Sequence, residues 1–343
     1  MPAATVPPLH ALFQRRIDGD DALLRLARLR FEQAGLAAEV YAGSPTELDA
    51  VLGFAPDSPR LPMVHLSRGI DIRRQPDRDA VAEFARRFAG RVSGFVVHDR
   101  ADMPSRLDEL TAAATELSEV LAASSAPTPL FIEYAAGCEL AEFVEMGRRL
   151  AGIQQLGMCI DTGHVGIRQA RRHFARQRAD IGIDLTALRP DDPRLPELAT
   201  DVQDAVAAGL PAVLELTAAL AELGRPVHYH LHDGHPLVDG LADHAGFLTR
   251  LPVPFRYRGR RSLDPLFGPA GLAAIVRAAA AAFGPALASF TLEIHERGGR
   301  LPLADAAPLF QHWRDTTNAE RMNAWLAILT ENAALATAAI TGP

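Results

Sequence analysis

The chain has 343 residues, 48% of them hydrophobic and 22% charged, enough apolar material for a large buried core. The formal net charge is −7, and the basic residues are scattered among acids except in short runs such as RQARRHFARQR and RYRGRR. That balance argues against a nucleic-acid partner, for which a basic stripe is usual. All 35 basic residues are arginine, so Schiff-base catalysis by a lysine amine is excluded.

In chain order, residues 7–14 hold a weakly marked first strand. DDALLRLARLRFEQAG then reads as an amphipathic helix, with Leu23, Leu24, Leu26, Ala27 and Leu29 on a broad apolar face. AAEVYAG is a short strand and LPMVHLS another apolar run, and RDAVAEFARRFAG is a helix that stops at Gly90. VSGFVVHD is a strand, SRLDELTAAATELSEVLAAS a long helix, PLFIEYAAG a strand and ELAEFVEMGRRLAG a helix. LGMCIDTGH and RPVHYHLHDG are strands, GPAGLAAIVRAAAAAFG a helix, and ASFTLEIHE the last clear strand. A helical tail covers about residues 304–343.

Short apolar runs alternating with helices of about ten to twenty residues indicate parallel βαβ units. The expectation is one domain over residues 1–343, a (β/α)8 TIM barrel with long insertions. A doubly wound open sheet is the alternative, but no GxGxxG follows an early strand. The insertions fall at about 165–225 and 235–268. The first holds a basic helix (Ile167–Ala179), a Pro/Asp loop and a further helix (Ala212–Leu223). Loops of this length commonly serve as lids or binding loops.

No run of about 18 apolar residues escapes interruption by charge or Pro, so no membrane span is expected. The N-terminus has no basic segment ahead of an apolar run, so a cytoplasmic protein without a signal peptide is expected. Cys138 and Cys159 are too few for a disulfide framework and read as buried free thiols.

The polar residues fall at strand ends: His65, His98, Glu133, Asp161, His230 with His232, and Glu293 with His295. In a barrel the C-terminal ends of all strands converge on one mouth. A carboxylate there is unfavourable to bury alone, and a shared cation is the simplest way to keep several. Two Glu, one Asp and one His form a mixed oxygen and nitrogen set suited to Mn2+, Mg2+, Co2+ or Zn2+. His164, three residues after Asp161 at a strand-to-loop junction, is expected to face the same mouth further from the metal. His228, His230 and His232 share one face of a strand, and not all three can be ligands. His10, His173, His244 and His312 have no supporting context and read as surface residues.

The segments FIEY (Glu133), CIDTGH (Asp161, His164), HYHLHD (His230, Asp233) and TLEIHE (Glu293) resemble, in order and strand position, the xylose isomerase-like barrels over about residues 60–300. That superfamily includes sugar isomerases, ketose 3-epimerases, inosose and 3-dehydroshikimate dehydratases and endonuclease IV-type nucleases. The resemblance implies that Glu133, Asp161, His230 and Glu293 are the metal ligands. It also implies that Glu133 and Glu293 act as the acid/base pair and that His164, with His232, Asp233 and Arg258, meets the substrate. Arg256, Arg258, Arg260 and Arg261 would bind a carboxylate or phosphate, or form a solvated surface run. Without lysine, the hydride-shifting isomerases are disfavoured against the proton-transfer branch.

The expected function is therefore a metal-dependent isomerase or epimerase of a sugar, cyclitol or related polyol, working through an enediolate. A dehydratase of a cyclic polyol or keto acid uses the same logic. A multi-metal phosphoesterase is the further alternative, in which His65 and His98 hold a second metal; its third site is doubtful, because Asp243 and His244 are adjacent. A non-catalytic scaffold is the contrasting class. A small-molecule partner is expected, and a homo-oligomer is open.

Overall fold

Runs of four to six residues become eight strands: β1 Leu9–Phe13, β2 Ala37–Ala42, β3 Met63–Leu66, β4 Gly94–His98, β5 Leu130–Glu133, β6 Leu156–Asp161, β7 Val227–Leu231 and β8 Ala288–Leu292. They close in sequence order into a barrel, with parallel pairing from β1 through β7. Four are buried along their whole length and the other four at all but one residue, which is why they read as continuous apolar runs rather than alternating ones. The fold is a (β/α)8 barrel with a C-terminal helix. This computed structural model describes residues 6–13, 20–123, 126, 128–188, 192–237, 244–250, 263–295 and 318–342.

The helices are α1 Asp21–Gln33, α2 Pro45–Leu52, α3 Gln75–Arg87, α4 Leu107–Ala122, α5 Leu140–Leu150, α6 Thr162–Gln177, α7 Leu195–Ala207, α8 Gly209–Ala221, α9 Gly268–Leu287 and α10 Asn318–Thr341. Several starts are chemically marked. The Asp20 and Ser44 side chains accept the Leu23 and Glu47 amides, and α5 opens with a capping box between Glu139 and Glu142. Gly90, the expected helix stop, takes a φ of 72° just past α3.

Chain contacts divide the molecule into two compact units: Met1–Asp161 with Leu216–His230 and Ala279–Thr291, and Thr162–Glu215 with Leu231–Ala278 and Leu292–Pro343. The first unit holds the strands, save the last residues of β7 and β8. Met63, Val96, Phe131 and Cys159 form a buried cluster there, and the His228 ring packs 5.5 Å from that of Phe131. Two residues further along the same strands stand His65, His98, Glu133, Asp161 and His230. Strand side chains repeat every two residues, so one pleat above an apolar plug the strands carry a polar layer.

The second unit contains α6, α7 and α10. α6 begins at Thr162, where a loop junction was expected, because β6 runs straight into a helical turn. α10 buries Trp325, Leu329, Ala333 and Ala336, and Trp325 donates its indole N–H to the Ile294 carbonyl at 2.8 Å.

Among the described residues, three helical stretches, Leu195–Ala221, Gly268–Leu287 and Met322–Thr341, are long and apolar enough to cross a membrane by length and composition. The sequence reading set such runs aside because each carries a charge, such as Glu197, Arg277 or Glu331. Leu272, Ile275, Val276 and Ala279 of Gly268–Leu287 are buried within the protein.

Candidate metal centre

In the first unit, strand register builds the polar layer. His98 pairs with Glu133 across β4 and β5, and Asp161 pairs with His230 across β6 and β7. Glu133, 1% exposed, is the hub. His65 Nε2 lies 2.8 Å and His98 Nε2 3.2 Å from Glu133 Oε2. His230 Nδ1 lies 3.3 Å from the other oxygen, Oε1. One ligand atom each from Glu133, Asp161 and His230 falls within 4.8 Å of the others, as does one each from His65, Glu133 and His230.

Electrostatics make Glu133 an anion. Burial alone would raise its pKa, but His98, His230 and His65 outweigh burial and hold it well below the ordinary carboxylate range. Burial likewise lowers the His65 pKa, and the facing Glu133 carboxylate reverses that, so the net direction is up.

These residues fit a divalent cation. His65 Nδ1 sits 3.0 Å from the Leu66 carbonyl, which can hold the ring proton there, so that with an ion bound Nε2 would turn its lone pair to the side where Glu133 stands. A metal-ligating histidine ordinarily binds its second nitrogen to a carbonyl or carboxylate in this way. Carboxylate and imidazole donors together suit Zn2+, Mn2+, Co2+ or Mg2+.

The second unit gathers a separate group. The His232 and His244 rings stack at 3.9 Å with 4° between planes, and His244 stacks on His295 at 4.2 Å. The His164 ring stands edge-on to both His232 and His244. His244 Nδ1 lies 3.2 Å from Glu293 Oε2, and His244, Glu293 and His295 each bring one ligand atom within 4.8 Å of the others. Within this group Thr162 donates its hydroxyl to the His232 carbonyl at 3.0 Å.

Asp233 is fully buried and organises loop backbone. Its Oδ1 accepts the Gly234 and Phe267 amides at 2.8 and 3.1 Å, and its Oδ2 accepts Gly268 at 2.7 Å. His235 is buried, and its Nδ1 accepts the Leu237 amide at 3.1 Å. Both cysteines are free and buried, and burial pushes their thiols up.

Sequence reasoning missed three participants. Glu39, fully buried in the middle of β2, faces both His228 and His230; a lone carboxylate inside the apolar AAEVYA run was its signal. His244, read as a surface residue, is buried in the second unit, and nothing in its non-periodic segment signalled that. His10, read the same way, is buried with Nδ1 3.1 Å from the Phe290 carbonyl. Arg256, Arg258, Arg260, Arg261 and His312 lie outside the described residues.

No family model and no curated protein matches the sequence. Among solved structures, the chain is similar to the carboxyl transferase domain from Rhizobium etli pyruvate carboxylase, at 14% identity and a TM-score of 0.41, covering 98% of this chain and 48% of that one. It is also similar to a thermostable mutant of a xylanase from Cellvibrio japonicus, at 13% identity and a TM-score of 0.45, covering 84% and 86%. The chain thus spans about half the length of the carboxylase chain it matches.

Proposed function

We propose that this chain is a metal-dependent enzyme with two divalent ions bridged by Glu133, and that it hydrolyses a small phosphate ester. One observation carries the reading. The two oxygens of Glu133 face different histidines, Oε2 meeting His65 and His98 and Oε1 meeting His230. That division is what a bridging carboxylate needs. His65, His98 and Glu133 would hold one ion, and Glu133, Asp161 and His230 would begin the set for the other. Glu293 is proposed as the fourth member of the second set. When bound, such ions supply the Lewis acidity that activates water and neutralises charge on a phosphoryl group.

The phosphate ester comes from the resemblance to endonuclease IV-type barrels, and a net charge of −7 favours a small ester over DNA. His98 is the least buried of the three histidines facing Glu133, with a side chain 14% exposed, and is proposed to face the substrate. His164 and His232, in the second unit, are proposed substrate contacts.

A second reading keeps the isomerase, epimerase or dehydratase. Glu133, Asp161 and His230 alone can hold a single ion, which would leave proton transfer through an enediolate to the glutamates. The first reading ranks higher because Glu133, anionic and approached by three imidazoles, is better disposed as a ligand than as a general base.

Metal content per chain, measured by mass spectrometry on protein purified without chelator, decides between them. Two or more equivalents, falling by one in His98→Ala, with hydrolysis of a phosphate-ester panel, support the hydrolase. One equivalent, unchanged in His65→Ala and His98→Ala, with deuterium uptake into a polyol from heavy water, transfers the assignment to the isomerase class. No bound metal sinks both.

A further inference from the structure

We propose that Glu39 is a positioning residue that fixes the ring of His230 with its proton on Nε2, so that His230 offers Nδ1 as its metal-binding atom. This rests on the reading of His230 as a ligand.

The geometry is confined to the first unit. His230 has a carboxylate at each nitrogen: Glu39 Oε1 is 2.9 Å from Nε2, and Glu133 Oε1 is 3.3 Å from Nδ1. A neutral imidazole has one N–H and one lone pair. The shorter approach, to Glu39, takes the N–H. The longer one, toward the Glu133 hub, would be left with the lone pair once an ion stands between it and that carboxylate.

The remaining contacts of Glu39 hold it to that task. Its second oxygen, Oε2, accepts the Thr291 hydroxyl and faces His228 Nε2 at 3.1 Å. His228 is itself oriented by Ser289, whose hydroxyl lies 2.7 Å from Nδ1. His228 Nε2 also lies 3.0 Å from Thr291 Oγ1, so its N–H is shared between Glu39 and Thr291, and the Ser289 hydroxyl donates to Nδ1. Glu39, His228, His230 and Thr291 are all fully buried, so water does not compete for these bonds. Glu39 Oε2 thus meets both Thr291 and His228, which leaves Oε1 to face His230 Nε2. Glu39 acts through His230 as a carboxylate behind a metal-binding histidine, an arrangement that fixes tautomer and ring orientation.

The test has two arms. In metal-stripped wild-type protein labelled with 15N-histidine, long-range proton–nitrogen spectra should show the His230 ring protonated at Nε2, its signals assigned by comparison with His228→Gln and His230→Gln. In parallel, Mn2+ affinity is measured by electron paramagnetic resonance in wild type, Glu39→Gln and Glu39→Ala. Loss of the orienting carboxylate should weaken Mn2+ binding by about 10- to 100-fold in Glu39→Ala. Glu39→Gln keeps an acceptor for Nε2–H and should recover part of that loss. A proton on Nδ1, or unchanged Mn2+ affinity in folded Glu39→Ala, overturns the proposal. If wild type binds no Mn2+, the functional reading fails, while the tautomer arm still decides the pairing of Glu39 with His230.

Discussion

His98 Nε2 stands 3.2 Å from His65 Nε2, and both point at the same oxygen of Glu133. Two imidazole nitrogens so close to each other and to an anion need a proton or a cation among them, and a divalent ion would satisfy all three at once. Adding Zn2+ or Mn2+ to stripped protein should therefore raise its unfolding free energy, by about 2.7 kcal/mol at a hundredfold excess over Kd. The gain should shrink in His98→Ala and return to zero with chelator. An unfolding curve indifferent to Zn2+ and Mn2+ contradicts a built metal centre.

Gly163, in the DTGH segment, explains itself in the second unit. A Cβ placed on it would lie 1.9 Å from His232 Cε1 and 2.3 Å from Nδ1. His232 cannot step aside easily, because its other face stacks on His244 at 3.9 Å. Gly163→Ala should cost about 1–3 kcal/mol in urea unfolding, the usual scale for overpacking a filled site. Gly152→Ala is the control, since nothing lies within 4 Å of a Cβ there, and it should stay within about 0.5 kcal/mol of wild type. Equal stabilities for the two variants would mean that the His232 ring is not held in place.

Trp325 ties α10 into the second unit through a buried ring and a 2.8 Å bond from its indole N–H to the Ile294 carbonyl. The sequence left open whether the tail packs on its own chain or on a neighbour; these contacts are within the chain. Trp325→Ala removes the ring and orphans the carbonyl, so about 3–5 kcal/mol of unfolding free energy should be lost. Trp325→Phe, which keeps an aromatic ring, should lose less. A negligible change in Trp325→Ala would show that α10 contributes little to this unit.

The barrel was legible because buried parallel strands leave continuous apolar runs, and VSGFVVHD or LGMCIDTGH cannot be read as exposed helices. Its first strand was weak because β1 is only five residues, LHALF, with a histidine at the second position. His65, His98, Glu133, Asp161 and His230 were legible because polar residues closing apolar strands are conspicuous. Glu39 was missed for the opposite reason, since it sits mid-strand and its histidine partners are about 190 residues away in sequence. His244 lies beyond any periodic element, where local pattern says nothing about tertiary neighbours.

Two buried histidines set an acid limit on stability. Burial, with His228 second, lowers the His10 pKa from 6.5 to about 4, and burial lowers that of His235 to about 3. Both are neutral in the folded chain, while in the unfolded chain each titrates near 6.5. As pH falls below 6.5, the unfolded chain takes up protons that the folded chain refuses. The folded state therefore loses stability from 6.5 down to about 4 for His10 and about 3 for His235. A depression of the His10 size corresponds to on the order of 3 kcal/mol over the full window. Urea unfolding at pH 7, 6 and 5 with chelator present should show the decline, and His10→Asn and His235→Asn should each flatten it. Because each variant is compared with wild type at the same pH, other titrating groups cancel. If His10→Asn declines as steeply as wild type, His10 is protonated in the folded chain, and its burial against the Phe290 carbonyl must be looser than a 3.1 Å contact allows.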